Sequence, residues 1–341
     1  MSAQTDGMFE VPIVDISAWV TGGPAAEKAR AVRELDHACR TVGFIQIVGH
    51  GVPAEITDGL AGAIDDFFGR PLAEKKSYVR PPAENRGYSP PKSESLSYSL
   101  GVDPVSRMND FFEAFNVGPA DDDTPNTWPA GLDSFQPGVE AHFAEARRVA
   151  HTLTSIFAAA LGVDPGYFDR ITDHSIDVLR MNNYALPPGD IELGADLTGM
   201  GEHTDFGIVT VLWADQVDGL QVLGTDQAWH DVRPADGALL VNLGDITARL
   251  TNDVWMSTLH RVKPPVIDGT IRRRRSAAFF HDGNADALIE TLPRFVPPGE
   301  HPLYFPITVK DHIIAKLSGS RAGRKNTSAV REAARVRAAQ I

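Results

Sequence analysis

Met200-Gly201-Glu202-His203-Thr204-Asp205-Phe206-Gly207 is the stretch from which the rest of the chain is best read. It sets an imidazole and a carboxylate two residues apart, with a small hydroxyl residue between them. In extended backbone, side chains at i and i+2 point to the same side. His203 and Asp205 are therefore expected to converge, while Thr204 faces away. A neutral imidazole nitrogen and a carboxylate oxygen are two of the three ligands of a facial-triad iron(II) site. With eleven histidines in the chain, a His-x-Asp triplet arises by chance about once in this length, so its meaning depends on its surroundings.

Those surroundings are strands. Runs at Val178–Tyr184, Ile208–Trp213, Leu220–Val222, Trp229–Val232, Leu239–Asn242, Leu259–Val262 and Ser276–Phe280 follow one another, separated by turns rich in Gly, Asp and Pro. Short strands at such spacing predict a β-sandwich or barrel. Upstream the period changes. Val32, Leu35, Ala38, Cys39 and Val42 form one apolar face of a helix over 25–42, closed by Gly43. A second helix is expected over 54–68, and the longest over 139–161. Short strands are expected at 11–16, 44–48 and 110–117, and closing helices at 309–317 and 328–339. Between Tyr78 and Ser106 lies a Pro-, Ser- and Tyr-rich excursion, the kind of long irregular loop that often carries function.

The fold class is accordingly mainly β with flanking helices. The chain divides into a helical N-terminal region with strands packing on the core (1–175), a β-rich catalytic core (176–300) and C-terminal helices (301–341), integrated as one domain.

Composition narrows the function. Hydrophobic residues at 43% and charged residues at 23% are ordinary for a globular protein. A net charge of −13 argues against a nucleic-acid partner, despite basic patches at 272–275 and 321–337. One cysteine, Cys39, excludes an intrachain disulfide and any thiolate-rich metal site. The first residues, Met1 to Gly7, lack the basic and apolar regions expected of a signal peptide, and no apolar run has the length of a membrane span. The expectation is a cytoplasmic protein, a monomer or weak homo-oligomer, acting on a small molecule without a membrane or nucleic acid.

Three features join the opening stretch. His260, in a strand-like segment 55 positions after Asp205, supplies a third ligand of the right type. Two His and one carboxylate leave the opposite positions of an octahedron open for cosubstrate and dioxygen. Arg274 and Ser276 share a strand face, and an Arg fork beside a hydroxyl is suited to grip a carboxylate. Asn182 and Tyr184 share a face on the strand before His203 and can hydrogen-bond a small acid. Arg86, in the long excursion, is placed to meet an anionic substrate, whereas His50, between two glycines with no partner at ligand spacing, reads as structural.

These residues stand in segments that resemble the isopenicillin N synthase-like, plant-type group of Fe(II)/2-oxoglutarate-dependent oxygenases, in that group's order. The matching segments are Pro12–Ile16, Gly43–Val52, Asn85–Tyr88, His203–Gly207, Asp218–Val222, Asn242–Asp245, Ser257–Val262 and Arg274–Ser276. The resemblance implies a double-stranded β-helix, or jelly roll, with His203, Asp205 and His260 as Fe(II) ligands. It implies 2-oxoglutarate held by Arg274 and Ser276 with Tyr184 assisting and Asn182 near its other end, and O2 as the oxidant. Arg86, Tyr88, Phe280, His281 and Asp282 are expected around the substrate, an intermediate of secondary metabolism. One departure is Asn183-Tyr184-Ala185 where relatives often show Tyr-Tyr-Pro.

The implied reaction decarboxylates 2-oxoglutarate to succinate and CO2 while hydroxylating, desaturating or cyclising the substrate. Two alternatives remain open at this point. Isopenicillin N synthase and the aminocyclopropane-carboxylate oxidases share the Arg-x-Ser pair without consuming 2-oxoglutarate. Two His and a carboxylate also suit a zinc hydrolase, and the same fold can serve as a non-catalytic binding protein.

Overall fold

The strands between Val178 and His281 shuttle between two sheets. The structure is a computed structural model that describes residues 9–94, 96–100, 110–119, 124–185, 199–264, 266–267, 270–322, 326, 329 and 331. Its strands, in chain order, are β1 (Ile13–Asp15), β2 (Phe44–Val48), β3 (Gly87–Ser89), β4 (Glu113–Val117), β5 (Val178–Tyr184), β6 (Met200–His203) and β7 (Val209–Ala214). There follow β8 (Leu220–Leu223), β9 (Trp229–Asp231), β10 (Leu239–Leu243), β11 (His260–Val262), the hairpin β12 (Val266–Ile267) and β13 (Thr270–Ile271), β14 (Arg274–His281), and the pair β15 (Leu288–Ile289) and β16 (Ile307–Thr308).

The large sheet has the order β1-β2-β10-β7-β14-β5-β4-β3 and the small one β6-β11-β8-β9. All pairings are antiparallel except β1 with β2. From β5 onward the chain passes to the small sheet at β6, back at β7, over again at β8 and β9, back at β10, over at β11 and back at β14. That alternation is the double-stranded β-helix.

Five helices matter for the site: α1 (Ala25–Thr41), α2 (Ala54–Phe68), α3 (Phe135–Leu161), α4 (Asp245–Leu250) and α5 (Val309–Ala322). The expected helix over 25–42 ends one residue early, and Gly43 at φ +71° returns its N–H to Ala38 O at 2.9 Å. That left-handed position suits glycine. α3 begins four residues before its expected start, and α5 runs on to Ala322. The helix expected over 328–339 lies outside the described residues, apart from 329 and 331. The strand expected from 110 starts at Glu113.

Each face of the large sheet has its own apolar cluster. The outer face packs on the helices, with Phe279 of β14 set edge-on to Phe143 of α3 at 5.1 Å. Burying one such side chain contributes roughly 1.5–3 kcal/mol. The second cluster lies inside, between the sheets, and includes Phe44, Phe112, Tyr184, Met200, Val222 and Val262. With both faces covered, β5 and β10 are buried at every residue, so neither shows the alternation of a half-exposed strand.

β14 shows how period-two geometry divides these roles. Arg274, Ser276, Ala278 and Phe280, with Asp282 just beyond the strand, line the interior cavity. Phe279 and His281 instead face the helices, His281 lying 5.1 Å from His151 of α3.

Candidate active site

β6 and β11 are neighbours, and their register puts His203 opposite His260. The imidazole centroids lie 4.1 Å apart. Asp205 comes from beyond the end of β6: the strand stops at His203, so the turn, not a continuing strand, carries the carboxylate to the imidazoles. Its Oδ1 lies 3.8 Å from His203 Nε2 and 3.7 Å from His260 Nε2. The three ligand atoms fall within 4.8 Å of one another, and all three residues are buried.

The surroundings fix what each ligand offers. His203 Nδ1 donates to Gly201 O at 2.8 Å and His260 Nδ1 to Thr258 O at 3.1 Å. Both Nε2 lone pairs are thereby left facing the centre, the usual device for orienting a ligating histidine. Burial, and then the neighbouring His260, press His203 well below the usual imidazole range, which keeps it in the neutral form a metal requires. Asp205 Oδ2 accepts from Thr210 Oγ1 at 2.5 Å and Asn242 Nδ2 at 2.6 Å, turning Oδ1 toward the imidazoles. Two buried His presenting Nε2 and one carboxylate are a donor set suited to Fe(II).

Thr204 faces away, as its place between the ligands predicts. It is fully buried, accepting from Lys316 Nζ of α5 at 3.1 Å and donating to Asp245 of α4 at 3.3 Å. Lys316 and Asp245 form a buried ion pair at 2.7 Å. Burial alone would raise Asp245; Lys316 and His312 instead draw it well below the carboxylate range. Asp245 N also donates to Asp205 O at 2.8 Å. This close approach requires glycine, because a Cβ at Gly244 would stand 2.1 Å from Gly207 O. The turn that carries Asp205 is therefore held between α4 and α5.

About 970 Å3 of atom-free space, including its open mouth, adjoins the triad. At one end β14 and β5 pair so that Arg274 lies opposite Tyr184 and Ser276 opposite Asn182. Arg274 is 2% exposed and its guanidinium sits over the Tyr184 ring at 5.2 Å. Its Nε and Nη1 are buried with no hydrogen-bond partner among the described residues. A buried guanidinium left so incomplete costs free energy until an anion joins it. The Arg-x-Ser pair thus has a geometric role that a zinc hydrolase does not supply.

The other end is built differently. Arg180 of β5, two residues before Asn182, donates to Asn182 Oδ1 at 3.2 Å and Asn116 Oδ1 at 3.4 Å, and pairs with Glu94 at 3.0 Å. Ile313, Leu317, Ser320 and Arg321 of α5 complete this end together with Asn85, Phe206 and Phe280. Period-two spacing from Asn182 could have pointed to Arg180. Nothing local marks Glu94 or the α5 residues, which arrive by tertiary docking.

The residues expected around the substrate separate. Phe280 and Asp282 line the cavity; burial, then the Asp177 and Asp205 carboxylates, push the Asp282 carboxyl well up. Tyr88 and His281 must be corrected, since neither is in the lining. Tyr88 turns into the core against Phe67, 5.7 Å away, and donates to Glu113 at 2.5 Å. His281 is fully buried on the opposite face of β14 from Phe280, 3.0 Å from Asp177. Arg86 lies outside the lining too, its guanidinium against Gly118 and its Nη1 on Asn85 O. His50 is structural in the turn, bridging Gly237 O and Val52 N.

Comparison with known proteins agrees with this geometry. Residues 176–283 match the 2OG-Fe(II) oxygenase superfamily, and residues 11–131 match the family described as non-haem dioxygenase in morphine synthesis N-terminal. A 2-oxoglutarate-Fe(II) type oxidoreductase, hxnY, of Emericella nidulans is 33% identical over 313 residues, covering 89% of this chain and 88% of its own. Validamycin A dioxygenase of Streptomyces hygroscopicus subsp. limoneus is 32% identical, with coverages of 85% and 80%. The crystal structure of a full-length Neurospora crassa protein in complex with alpha-KG and thymine superimposes with a TM-score of 0.81 at 26% identity, covering 93% of this chain and 98% of that one.

Proposed function

This chain belongs to the 2-oxoglutarate–Fe(II) oxygenase superfamily and is an Fe(II)- and 2-oxoglutarate-dependent oxygenase of small molecules; we propose that Arg274, Ser276, Tyr184 and Asn182 hold the cosubstrate beside an iron bound by His203, Asp205 and His260. The observation that carries this assignment is the incomplete guanidinium of Arg274, buried in the same cavity as the triad. The far carboxylate of 2-oxoglutarate is the partner it lacks, with Ser276 as a second donor on the same strand face.

Bound in this site, iron and 2-oxoglutarate supply the oxidising chemistry that turns dioxygen against an unactivated C–H bond, with release of succinate and CO2. The chain's own work is positional. Thr210 and Asn242 hold Asp205 in one orientation, and the carbonyls of Gly201 and Thr258 hold the two imidazole tautomers. Tyr184 lies under the Arg274 fork, limiting its rotamers. Met200, Leu220 and Val262 wall this end, excluding water from a reaction that water would quench.

The substrate enters from the end lined by Phe206, Phe280, Ile313 and Leu317, whose apolar walls and few polar groups suit a compact molecule. The thymine of the Neurospora complex is of that size class. The same reading takes the chain as one integrated unit, a monomer or weak homo-oligomer in the cytoplasm. Among the described residues no helix is long and apolar enough to cross a membrane.

Anaerobic addition of Fe(II) and 2-oxoglutarate tests the assignment. A weak visible charge-transfer band is expected, and it should vanish in Arg274→Ala while Fe(II) binding persists. A band unchanged by that substitution would reject Arg274 as the cosubstrate's partner. Succinate release across a metabolite panel then identifies the substrate.

A further inference from the structure

The cavity's two ends differ in charge. At the iron end, Fe(II) and Arg274 are matched by Asp205 and a dianionic 2-oxoglutarate, so that the loaded end is neutral. At the other end two lining guanidinium groups, Arg180 and Arg321, lie against one carboxylate, Glu94, with the Arg86 guanidinium just outside the lining. Arg180, Arg321 and Glu94 are buried: their side chains are 8%, 9% and 5% exposed, in that order.

Glu94 is committed unevenly between them. Its Oε2 accepts from Arg180 Nη2 at 3.0 Å. Its Oε1 lies 3.7 Å from Arg321 Nε, too far for a hydrogen bond. Both Glu94 Oε1 and Arg321 Nε are buried without a hydrogen-bond partner among the described residues. Arg321 reaches Pro82 O through Nη1 at 3.2 Å, a neutral acceptor that does not offset its charge. Burial would raise Glu94, but Arg180 and Arg321 hold it down at about 2, so its charge is spent on them. Burial lowers Arg321, the Glu94 carboxylate opposes that, and the charges of Arg180 and Arg86 lower it further. A surplus cation in a buried pocket is costly unless a ligand balances it.

We propose that the substrate is a small monocarboxylate whose carboxylate pairs with Arg321, with Arg180 and Glu94 as the fixed charge pair behind it. This inference rests on the oxygenase reading and deepens it. A single lining guanidinium at this end with no carboxylate in hydrogen-bond range among the described residues, presented as a planar fork, favours a carboxylate over a doubly charged phosphate monoester. The apolar residues Phe280, Ile313 and Leu317 then receive the rest of the molecule. Arg321 sits on the last turn of α5, so the group that reads the charge belongs to the C-terminal helix and not to the sheet scaffold.

The test uses enzyme loaded anaerobically with Fe(II) and saturating 2-oxoglutarate, so that the Arg274 end is filled. Titration calorimetry compares acetate, benzoate and phenylacetate with acetamide, benzamide and phenylacetamide, each pair alike in shape and different in charge. At least one acid should bind at least about tenfold more tightly than its amide, a typical worth of one charged hydrogen bond. Arg321→Gln should abolish that preference and Arg321→Lys should keep most of it, both variants retaining the charge-transfer band. Equal or absent binding within every pair, or a preference that survives Arg321→Gln, would overturn the proposal. Loss of the band in the unmodified enzyme would instead reject the oxygenase reading.

Discussion

The two ends of the cavity are made by different kinds of structure. The iron and cosubstrate end stands on four sheet strands. β6 and β11 bring the imidazoles together, and β5 and β14 bring Tyr184 and Asn182 opposite Arg274 and Ser276. Those positions follow from register, which fixes every side chain on a strand at once. The substrate end adds to Arg180 of β5 and Phe280 of β14 the segment around Asn85 and Glu94 and one face of α5. Its geometry depends on how α5 docks, through Gly319 against Ser99 and through Lys316 in the ion pair with Asp245. One end is fixed by strand register; the other depends on how separate elements dock.

Substitutions can separate the two. The largest effect is expected at the triad: His260→Ala should remove Fe(II) binding and with it all succinate formation above background, measured by iron content and product assay. Arg274→Gln comes next. It should raise the 2-oxoglutarate KM by roughly ten- to a hundredfold, the loss of a charged hydrogen-bonded contact, with iron content unchanged. Asn242→Ala removes one of the two donors to Asp205 Oδ2 and should weaken Fe(II) affinity by at least about tenfold, as for other groups that orient a ligand. Equilibrium titration with Fe(II) checks it, and an unchanged affinity would mean that Thr210 suffices.

At the substrate end, Leu317→Ala should leave the charge-transfer band intact and raise the substrate KM by about tenfold, the low end of what a few methylenes contribute in an apolar pocket. A loss of the band would show that the ends are coupled through α5. The smallest effect belongs to neither end. His142 of α3 is 3% exposed, and burial lowers it from 6.5 to about 4. The unfolded chain therefore takes up its proton first, and the stability His142 allows above pH 6.5 is lost as pH falls toward 4. The thermal midpoint should drop across that window, and less steeply in His142→Gln, with both sites unaffected at neutral pH.

Much of the sheet end is legible from residues alone. His203 and Asp205 are visible as a spaced pair and His260 as a third donor, and the Arg274/Ser276 and Asn182/Tyr184 pairs come from the two-residue repeat. The same repeat separates Phe280 from His281, so the strand reading contains the means to reject His281. Tyr88 is misplaced because a three-residue strand gives no sign of which face meets the core. Arg180 lies within reach of the repeat, yet an arginine in a fully buried strand is read correctly only once Glu94 and Asn116 are known to be beside it.

The sequence by itself determined the order and period of the strands, the donor types at the proposed metal and cosubstrate positions, and the faces on which most of them stand. These are local properties, set by backbone geometry within single strands and turns. Only the tertiary structure decided that the turn after His203 carries Asp205 to both imidazoles, that Arg274 is left incomplete in a buried pocket, and that Glu94 and Arg321 meet from distant parts of the chain while Lys316 reaches Asp245. Such meetings depend on the packing of whole elements, where burial turns an ordinary surface charge into a demand for a partner.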